Sequence, residues 1–245
     1  MLKKLYDKGQ IYFALLWIAL YCILMSAADA ISALVGVEKS VTLPVAILLS
    51  VLLLVFLKKN RLFAEYGLRL PTVSAQNMLY YLPLLFLLSA NFWHGFALNY
   101  GIMETFVYIL SMICVGFLEE IIFRGLLFRA MLKDNAALAV TVSSLSFGIG
   151  HIINLINGSG AELLPNLLQV VYATAAGFMF VMIYYKTDSL LGCIIIHGLF
   201  NALSAFSNEA HAAQEEKILT ALILTLISGL YALYIGLTVK KNKNE

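Results

Sequence analysis

Charged residues are scarce in this chain of 245 amino acids, and their scarcity excludes a water-soluble fold. They make up 12% of the sequence, about half the share of roughly 25% that is usual in soluble domains. Hydrophobic residues account for 62%, and the mean hydropathy is +0.90. A globular domain of this size has too much surface to hide so many apolar side chains. The composition therefore requires a lipid bilayer.

The apolar stretches also lack the alternation of apolar and polar residues that is typical of transmembrane barrels. Only helices and closed barrels satisfy every backbone group in lipid, so helices remain. Cysteine is sparse as well, because Cys22, Cys114 and Cys193 are far apart and lie in apolar runs. Without a CxxC pair or a disulfide framework, they are interpreted as small interior side chains.

Eight apolar segments predict an all-α, polytopic transmembrane bundle, since about 20 apolar residues cross the 30 Å hydrocarbon core of a bilayer. The polar loops are short, which predicts a single integral membrane domain over residues 1–245. The predicted spans cover residues 11–35, 41–57, 76–98, 102–128, 136–157, 163–185, 189–207 and 218–239.

Basic residues fall in the termini and in alternate loops, and the other loops are mostly acidic. Because cytoplasmic loops carry an excess of Lys and Arg, both termini are expected to be cytoplasmic. Lys39 and Lys217 alone are basic in the opposite loops. The small size and short loops favour a multi-pass protein of a bacterial plasma membrane. The basic side carries Lys3, Lys4, Lys8, Lys58, Lys59, Arg61, Arg69, Arg129, Lys133, Lys186, Lys240, Lys241 and Lys243.

Ionisable residues cluster within three of the predicted spans, where each costs about 2.5–3.5 kcal/mol and indicates function by default. One cluster is Glu119, Glu120 and Arg124, and the others centre on His151 and His197. Glu120 and Arg124 are four residues apart and close enough to pair. Glu119 lies about 100° around the helix from Glu120, so the two carboxylates are expected to face different neighbours.

The clusters contain the groups that hydrolysis needs. A buried carboxylate beside imidazoles can act as a general base on water. His197 and Asn201, four residues apart like Phe147 and His151, can donate hydrogen bonds to an oxyanion. The same groups could instead hold a divalent metal, form a structural ion pair, or line a proton or ion pathway.

The joint pattern resembles the CPBP intramembrane protease family, the CAAX-protease and bacteriocin-processing group that is also called Abi. The matching motifs are the run EEIIFR from Glu119 to Arg124, then Phe147 to His151, then His197 to Asn201. The resemblance covers a core of about residues 109–206. It implies that Glu119 activates water with help from His151, and that His197 and Asn201 stabilise the oxyanion or bind metal.

The resemblance thus implies an enzyme, either a metalloprotease or a glutamate-type endopeptidase. The expected catalytic residues are Glu119, Glu120, His151, His197 and Asn201, with Arg124 and Phe147 in support. Zn²⁺ or another divalent cation would be held by Glu119, His151 and His197, although the absence of an HExxH helix weakens the zinc interpretation. A metal-free mechanism stays open.

The expected partners are the lipid bilayer and a membrane-associated or lipid-modified peptide or protein, with no nucleic acid. The substrate is expected to enter laterally or from the cytoplasmic face. The alternative is a non-enzymatic bacteriocin-immunity or membrane scaffold protein of the same fold. A proton-coupled transporter is disfavoured because the sequence lacks inverted repeats and paired, Pro-broken helices.

The predicted spans place the candidate residues at different depths in the membrane. At 1.5 Å per residue, Glu119 and His197 lie roughly 12–15 Å from the basic ends of their spans, whereas His151 lies roughly 20 Å from its own. The fifth span must therefore start later, tilt, or break near Gly148 and Gly150.

Overall fold

The computed structural model describes residues 2–157 and 162–240, most of which are helical. Extended backbone pairs there in one isolated bridge, between Phe96 and Ser207, and no described residue lies in a longer strand. The predicted all-α polytopic bundle is confirmed. The α-helices are α1 Leu2–Lys8, α2 Gln10–Val35, α3 Thr42–Lys59, α4 Leu82–Ser89, α5 Ile102–Glu119, α6 Arg129–Leu132, α7 Ala136–Gly150, α8 Leu163–Thr187, α9 Leu191–Leu203 and α10 Gln214–Thr238.

Six helical stretches are long and apolar enough to cross a membrane: Gln10–Val35, Thr42–Lys59, Ile102–Leu132, Ala136–Leu155, Leu163–Thr187 and Gln214–Thr238. The seventh predicted span contains a shorter apolar stretch, Leu191–Phe206. The third predicted span is wrong as one continuous helix, because α4 has only 8 residues. Leu79 and Tyr81 have positive φ values of 50° and 60°, and Pro83 cannot donate a backbone hydrogen bond.

The two ends of the bundle separate the charged loops as the sequence predicts. Lys133 Nζ donates to Gln10 Oε1 at 2.7 Å, and Lys186 Nζ donates to the carbonyl of Val239 at 2.8 Å. These contacts gather the basic loops around the start of α2 and the end of α10. The two lysines after residue 240 lie outside the described residues. We call this end the terminal end.

The opposite end, called the distal end below, joins the acidic loops. The backbone N–H of Glu38 donates to the Glu104 carboxylate at 2.6 Å, which ties the α2–α3 loop to the start of α5. Asn99 donates to the carbonyl of Ser207 at 2.9 Å, which ties the α4–α5 loop to the end of α9.

Helix α9 begins inside the protein because the loop of residues 60–74 covers its first turn. The N–H of Leu190 donates to the Gly67 carbonyl at 2.8 Å, and Ser189 Oγ donates to the Arg69 carbonyl at 2.6 Å. Gly67 has a φ of +76°, and a Cβ there would lie 2.6 Å from the Tyr184 ring. A residue with a side chain at this position would therefore strain the turn and collide with α8.

The helix that carries the acidic motif widens at its centre. After α5 ends at Glu119, the same helix continues as a π-helix over Glu120–Phe128 and then as α6. All nine residues of the π-helix are buried. Such i→i+5 segments are rare and occur frequently at functional sites, and this one contains both charged residues Glu120 and Arg124.

Candidate active site

Glu120 lies at the centre of a buried charge cluster that joins the π-helix to α9. Its Oε1 accepts from Arg124 Nη1 at 3.0 Å and contacts His197 Nδ1 at 2.8 Å. The Glu120 and Arg124 side chains are both fully buried. Because a carboxylate paired with a guanidinium can only accept, His197 Nδ1 must carry a hydrogen. Glu120 therefore fixes the orientation and the tautomer of the imidazole, as carboxylates do in other His-containing sites.

Aromatic rings complete the surroundings of the guanidinium. Arg124 lies 4.0 Å from the Phe147 ring centre and 5.6 Å from that of Phe180. Phe180 also stacks on His197 at 5.7 Å. Cation–π contacts of desolvated groups contribute about 2 kcal/mol or more. The supporting role predicted for Phe147 thus has a physical basis, since its ring contacts the buried cation.

Glu119 faces a different set of groups but shares His197 with Glu120. Its Oε1 accepts from the Tyr21 hydroxyl at 2.6 Å, and its Oε2 lies 3.3 Å from His197 Nε2. Among the described residues, Oε2 has no aligned hydrogen-bond donor. The sequence predicts that the two carboxylates face different neighbours. This prediction is wrong for His197, because its imidazole lies between the two carboxylates and contacts both.

The remaining candidate residues line one cavity beside Glu119. The cavity has a volume of about 460 Å³, and its walls include Glu119, His151, Asn201 and Phe147. The Phe147 ring packs edge-on against both imidazoles, with ring centres 5.3 Å from His151 and 5.6 Å from His197. The structure thus brings together all the residues that the three motifs nominated.

The conflict in depth disappears because the Glu119 helix ends later than predicted and because α9 starts inside the protein. The Glu119 helix continues to Leu132, four residues beyond its predicted end, so Glu119 lies about 20 Å from its terminal end at 1.5 Å per residue. Helix α7 ends at Gly150, and His151 opens a 3₁₀ turn, about 22 Å from the start of α7. Helix α9 already starts inside the protein, which places His197 level with both.

A glycine contact sets the spacing between the two helices that carry Glu119, Glu120 and His197. A Cβ at Gly116, one turn before Glu119, would lie 2.6 Å from the backbone nitrogen of Gly198. Small residues allow such close helix crossings in membranes. The crossing thereby brings His197 within reach of both carboxylates.

Gly116→Ala is expected to force α5 and α9 apart, with a loss of about 1–3 kcal/mol of stability. We expect a lower thermal midpoint in detergent together with reduced peptide release. Gly229→Ala is the matched control, because a Cβ at Gly229 would meet nothing within 4 Å. Equal thermal midpoints for the two variants would show that the crossing is looser than described.

Tyr21 is the site residue that the sequence does not reveal. It is 8% exposed and lies on α2, far from every motif, and a tyrosine within an apolar span is an ordinary residue. Its hydroxyl is a charge-assisted donor to Glu119, and such bonds contribute about 1.5–3 kcal/mol. We therefore interpret Tyr21 as a positioning residue for the carboxylate.

Tyr21→Phe is expected to lower kcat for peptide release about tenfold, the effect of losing roughly 1.4 kcal/mol of such a bond, with little change in KM. Tyr12→Phe is the control, because Tyr12 lies on the same helix and is 69% exposed. A loss of thermal stability with kcat unchanged would contradict the positioning role.

The predicted metal ligands are only partly assembled. Glu119 and His197 are 3.3 Å apart, a spacing that two donors on one zinc ion can have, given bonds of about 2.0–2.2 Å. However, residues 2–157 and 162–240 contain no group of three or more His, Cys, Asp or Glu side chains arranged to hold a metal ion. The described residues thus offer two close ligands, Glu119 and His197, whereas a catalytic zinc ion usually has three protein ligands. The residues present do not fit a complete metal site.

The cavity extends from Glu119 toward the distal end of the bundle. Its walls include Asp29 near the end of α2, Lys39 in the following loop, and Thr220 near the start of α10. All three positions are close to the acidic loops. This direction leads away from the terminal end, where the basic loops lie.

Comparison with known protein families finds a match, within the motif-bearing part of the chain. Residues 101–203 match the family model described as Type II CAAX prenyl endopeptidase Rce1-like. The matched segment runs from the start of α5 to the end of α9, and Tyr21 lies outside it. No curated protein and no solved structure shows significant similarity. The match confirms the resemblance inferred from the motifs: over residues 101–203, this multi-pass membrane protein carries the pattern of the Rce1-like CAAX endopeptidase family.

Proposed function

We propose that the chain is an intramembrane endopeptidase in which Glu119 activates the attacking water. The observation that carries the proposal is the Glu119 carboxylate, held between Tyr21 at 2.6 Å and His197 at 3.3 Å, in the wall of a cavity of about 460 Å³. Ligand pockets usually have volumes of about 300–1,000 Å³, so this cavity has room for a short peptide segment and a water molecule. The family match to a membrane endopeptidase supports the same reaction class.

Water activation is assigned to Glu119 and His151, which line the same cavity. The water forms a bond to the carbonyl carbon of the substrate and gives its proton to the Glu119 carboxylate. Glu119 then passes this proton to the leaving amine as the carbon–nitrogen bond breaks. General acid–base catalysis of this kind contributes about 10²–10⁴-fold in rate. The Tyr21 hydrogen bond keeps the carboxylate in place throughout.

Oxyanion stabilisation is assigned to His197 Nε2 and the Asn201 side-chain amide. Because Nδ1 of His197 donates to Glu120, Nε2 can donate to the oxyanion only when the ring is an imidazolium, in which both ring nitrogens are donors. In that form the cluster of Glu119, Glu120, Arg124 and His197 has no net charge, which is the arrangement that a buried charge network needs.

A peptide-release assay with reconstituted protein tests this proposal. Purified chain in liposomes is mixed with two quenched-fluorescent peptides, one a farnesylated CAAX-type peptide and the other an unmodified apolar leader-type peptide. We expect release from at least one of them. If a folded wild-type protein releases neither, hydrolysis of membrane peptides is contradicted.

The same assay with an added chelator tests whether peptide release requires a metal ion. The metal-free mechanism predicts that release continues at the same rate after incubation with a strong chelator. If release is lost and then restored by Zn²⁺ alone, a metal is required and the roles of Glu119 and His197 include ligation.

A further inference from the structure

The cavity beside Glu119 lies mainly between the distal halves of the helices that line it. On α2 it is bounded by Tyr21, Ser26 and Asp29, in order toward the distal end of that helix. On the antiparallel α5 it is bounded by Glu119, Met112 and Tyr108, in order toward the distal end, and Phe123 of the π-helix bounds it one turn below Glu119. A path from Glu119 along these walls therefore leads to the distal loops.

The lining residues on α8, α9 and α10 also indicate that the cavity leads toward the distal end. The cavity is bounded on α8 by Pro165 and Gln169 near its first turns, on α9 by Asn201 near its last turn, and on α10 by Lys217 and Thr220 at its start. All of these positions lie at the distal ends of their helices. The cavity therefore lies mainly in the distal half of the bundle, and we call it the distal vestibule.

Between Glu119 and the terminal end, the interior of the bundle is filled by packed side chains. The side chains of Ile121, Ile122 and Phe128 are completely buried, and they fill the interior beneath the charge cluster. The loop of residues 60–74 closes the bundle further, because the Tyr184 hydroxyl donates to the Glu65 carbonyl at 3.1 Å. A peptide cannot pass such close-packed side chains without a rearrangement of the core.

The charges of the two ends determine which compartment the distal vestibule faces. The terminal end carries the basic loops, and an excess of Lys and Arg marks the cytoplasmic side. Lys39, at the distal end, is paired with Asp29 at 2.9 Å and with Glu38 at 3.3 Å, so its charge is offset locally. Lys217 is the second distal lysine, and Glu215 and Glu216 precede it directly.

We propose that the substrate reaches Glu119 from the extracytoplasmic face, through the distal vestibule. The inference rests on the proposed function, and it narrows the substrate to a peptide segment that is exposed on, or has crossed to, the outer face of the membrane. A lipidated tail on a cytoplasmic protein would reach the closed end of the bundle. An exported peptide that remains anchored in the outer leaflet would reach the distal end, where the vestibule is open.

Thiol labelling tests the route without using catalysis. Ser26 lines the vestibule between Glu119 and the distal loops, and Asp134 is exposed in the loop between α6 and α7 at the terminal end. Each is changed to cysteine, Ser26→Cys or Asp134→Cys, in a protein whose three native cysteines are replaced by alanine. A charged, membrane-impermeant maleimide is then added to intact cells or to inside-out vesicles.

We expect Ser26→Cys to be labelled in intact cells and protected in inside-out vesicles, with the reverse pattern for Asp134→Cys. Labelling of Ser26→Cys from the cytoplasmic side alone would overturn the route. Protection of this cysteine on both sides, in a variant with the thermal midpoint of its parent, would overturn it as well.

The same preparations separate the route from the reaction. Labelling of Ser26→Cys in intact cells, combined with no peptide release by the parent protein, supports the extracytoplasmic route and contradicts the endopeptidase. Peptide release combined with cytoplasmic labelling of Ser26→Cys supports the endopeptidase and contradicts the route. Glu119→Gln is expected to leave the labelling pattern unchanged, because the route does not require proton transfer.

Discussion

Glu119→Gln reduces peptide release by about 10²–10⁴-fold in this account, the usual contribution of a general base. The glutamine keeps the size of the side chain, and its carbonyl oxygen can still accept from the Tyr21 hydroxyl, which lies 2.6 Å from the native carboxylate. It cannot take a proton from water. The measurement is the rate of peptide release in liposomes at equal amounts of folded protein.

Glu104→Gln is the matched control for this prediction. Glu104 lies on the same helix and accepts a hydrogen bond from the backbone of Glu38, at the distal end and away from the charge cluster. Its amide variant is expected to release peptide at the wild-type rate. If Glu119→Gln retains full function at normal protein levels, catalysis is not the function, and a non-enzymatic immunity or scaffold role takes its place.

Arg124→Leu has the largest expected effect on stability. The guanidinium is the partner of the fully buried Glu120 carboxylate at 3.0 Å, and breaking a buried pair costs about 3–5 kcal/mol because one charge remains uncompensated. The variant also loses the contact with the Phe147 ring at 4.0 Å. We expect a strongly lowered thermal midpoint in detergent and a reduced yield of folded protein.

A double variant separates the charge effect from the loss of packing. Glu120→Gln combined with Arg124→Leu removes both charges and is expected to recover most of the stability that Arg124→Leu alone loses. Such non-additivity is the signature of two residues that interact directly. Additive losses in the double variant, or a wild-type midpoint for Arg124→Leu alone, would contradict a buried ion pair.

The polar motifs could be predicted from the sequence because ionisable residues are expensive in a membrane and therefore conspicuous. Glu120 and Arg124 are paired as their spacing of four predicts, even though a π-helix replaces the expected α-helix. His197 contacts both carboxylates, and His151 and Asn201 line the same cavity as Glu119.

Other features depend on contacts that no local pattern encodes. The break before α4 requires positive φ values at Leu79 and Tyr81, and hydropathy averaged over a span does not detect them. Tyr21 contacts Glu119 across 98 positions of sequence. The direction of the cavity depends on how closely the loop of residues 60–74 packs beneath the site, which charge counting alone does not show.

The most direct test of peptide hydrolysis by this site is product mass spectrometry in water enriched in oxygen-18. Reconstituted wild-type protein is incubated with a membrane-anchored peptide, and the new carboxyl terminus is weighed. We expect one oxygen-18 atom in that carboxyl group and about 10²–10⁴-fold less product from Glu119→Gln. An intact peptide after incubation with folded wild-type protein, or an equal amount of labelled product from Glu119→Gln, would contradict hydrolysis by this site.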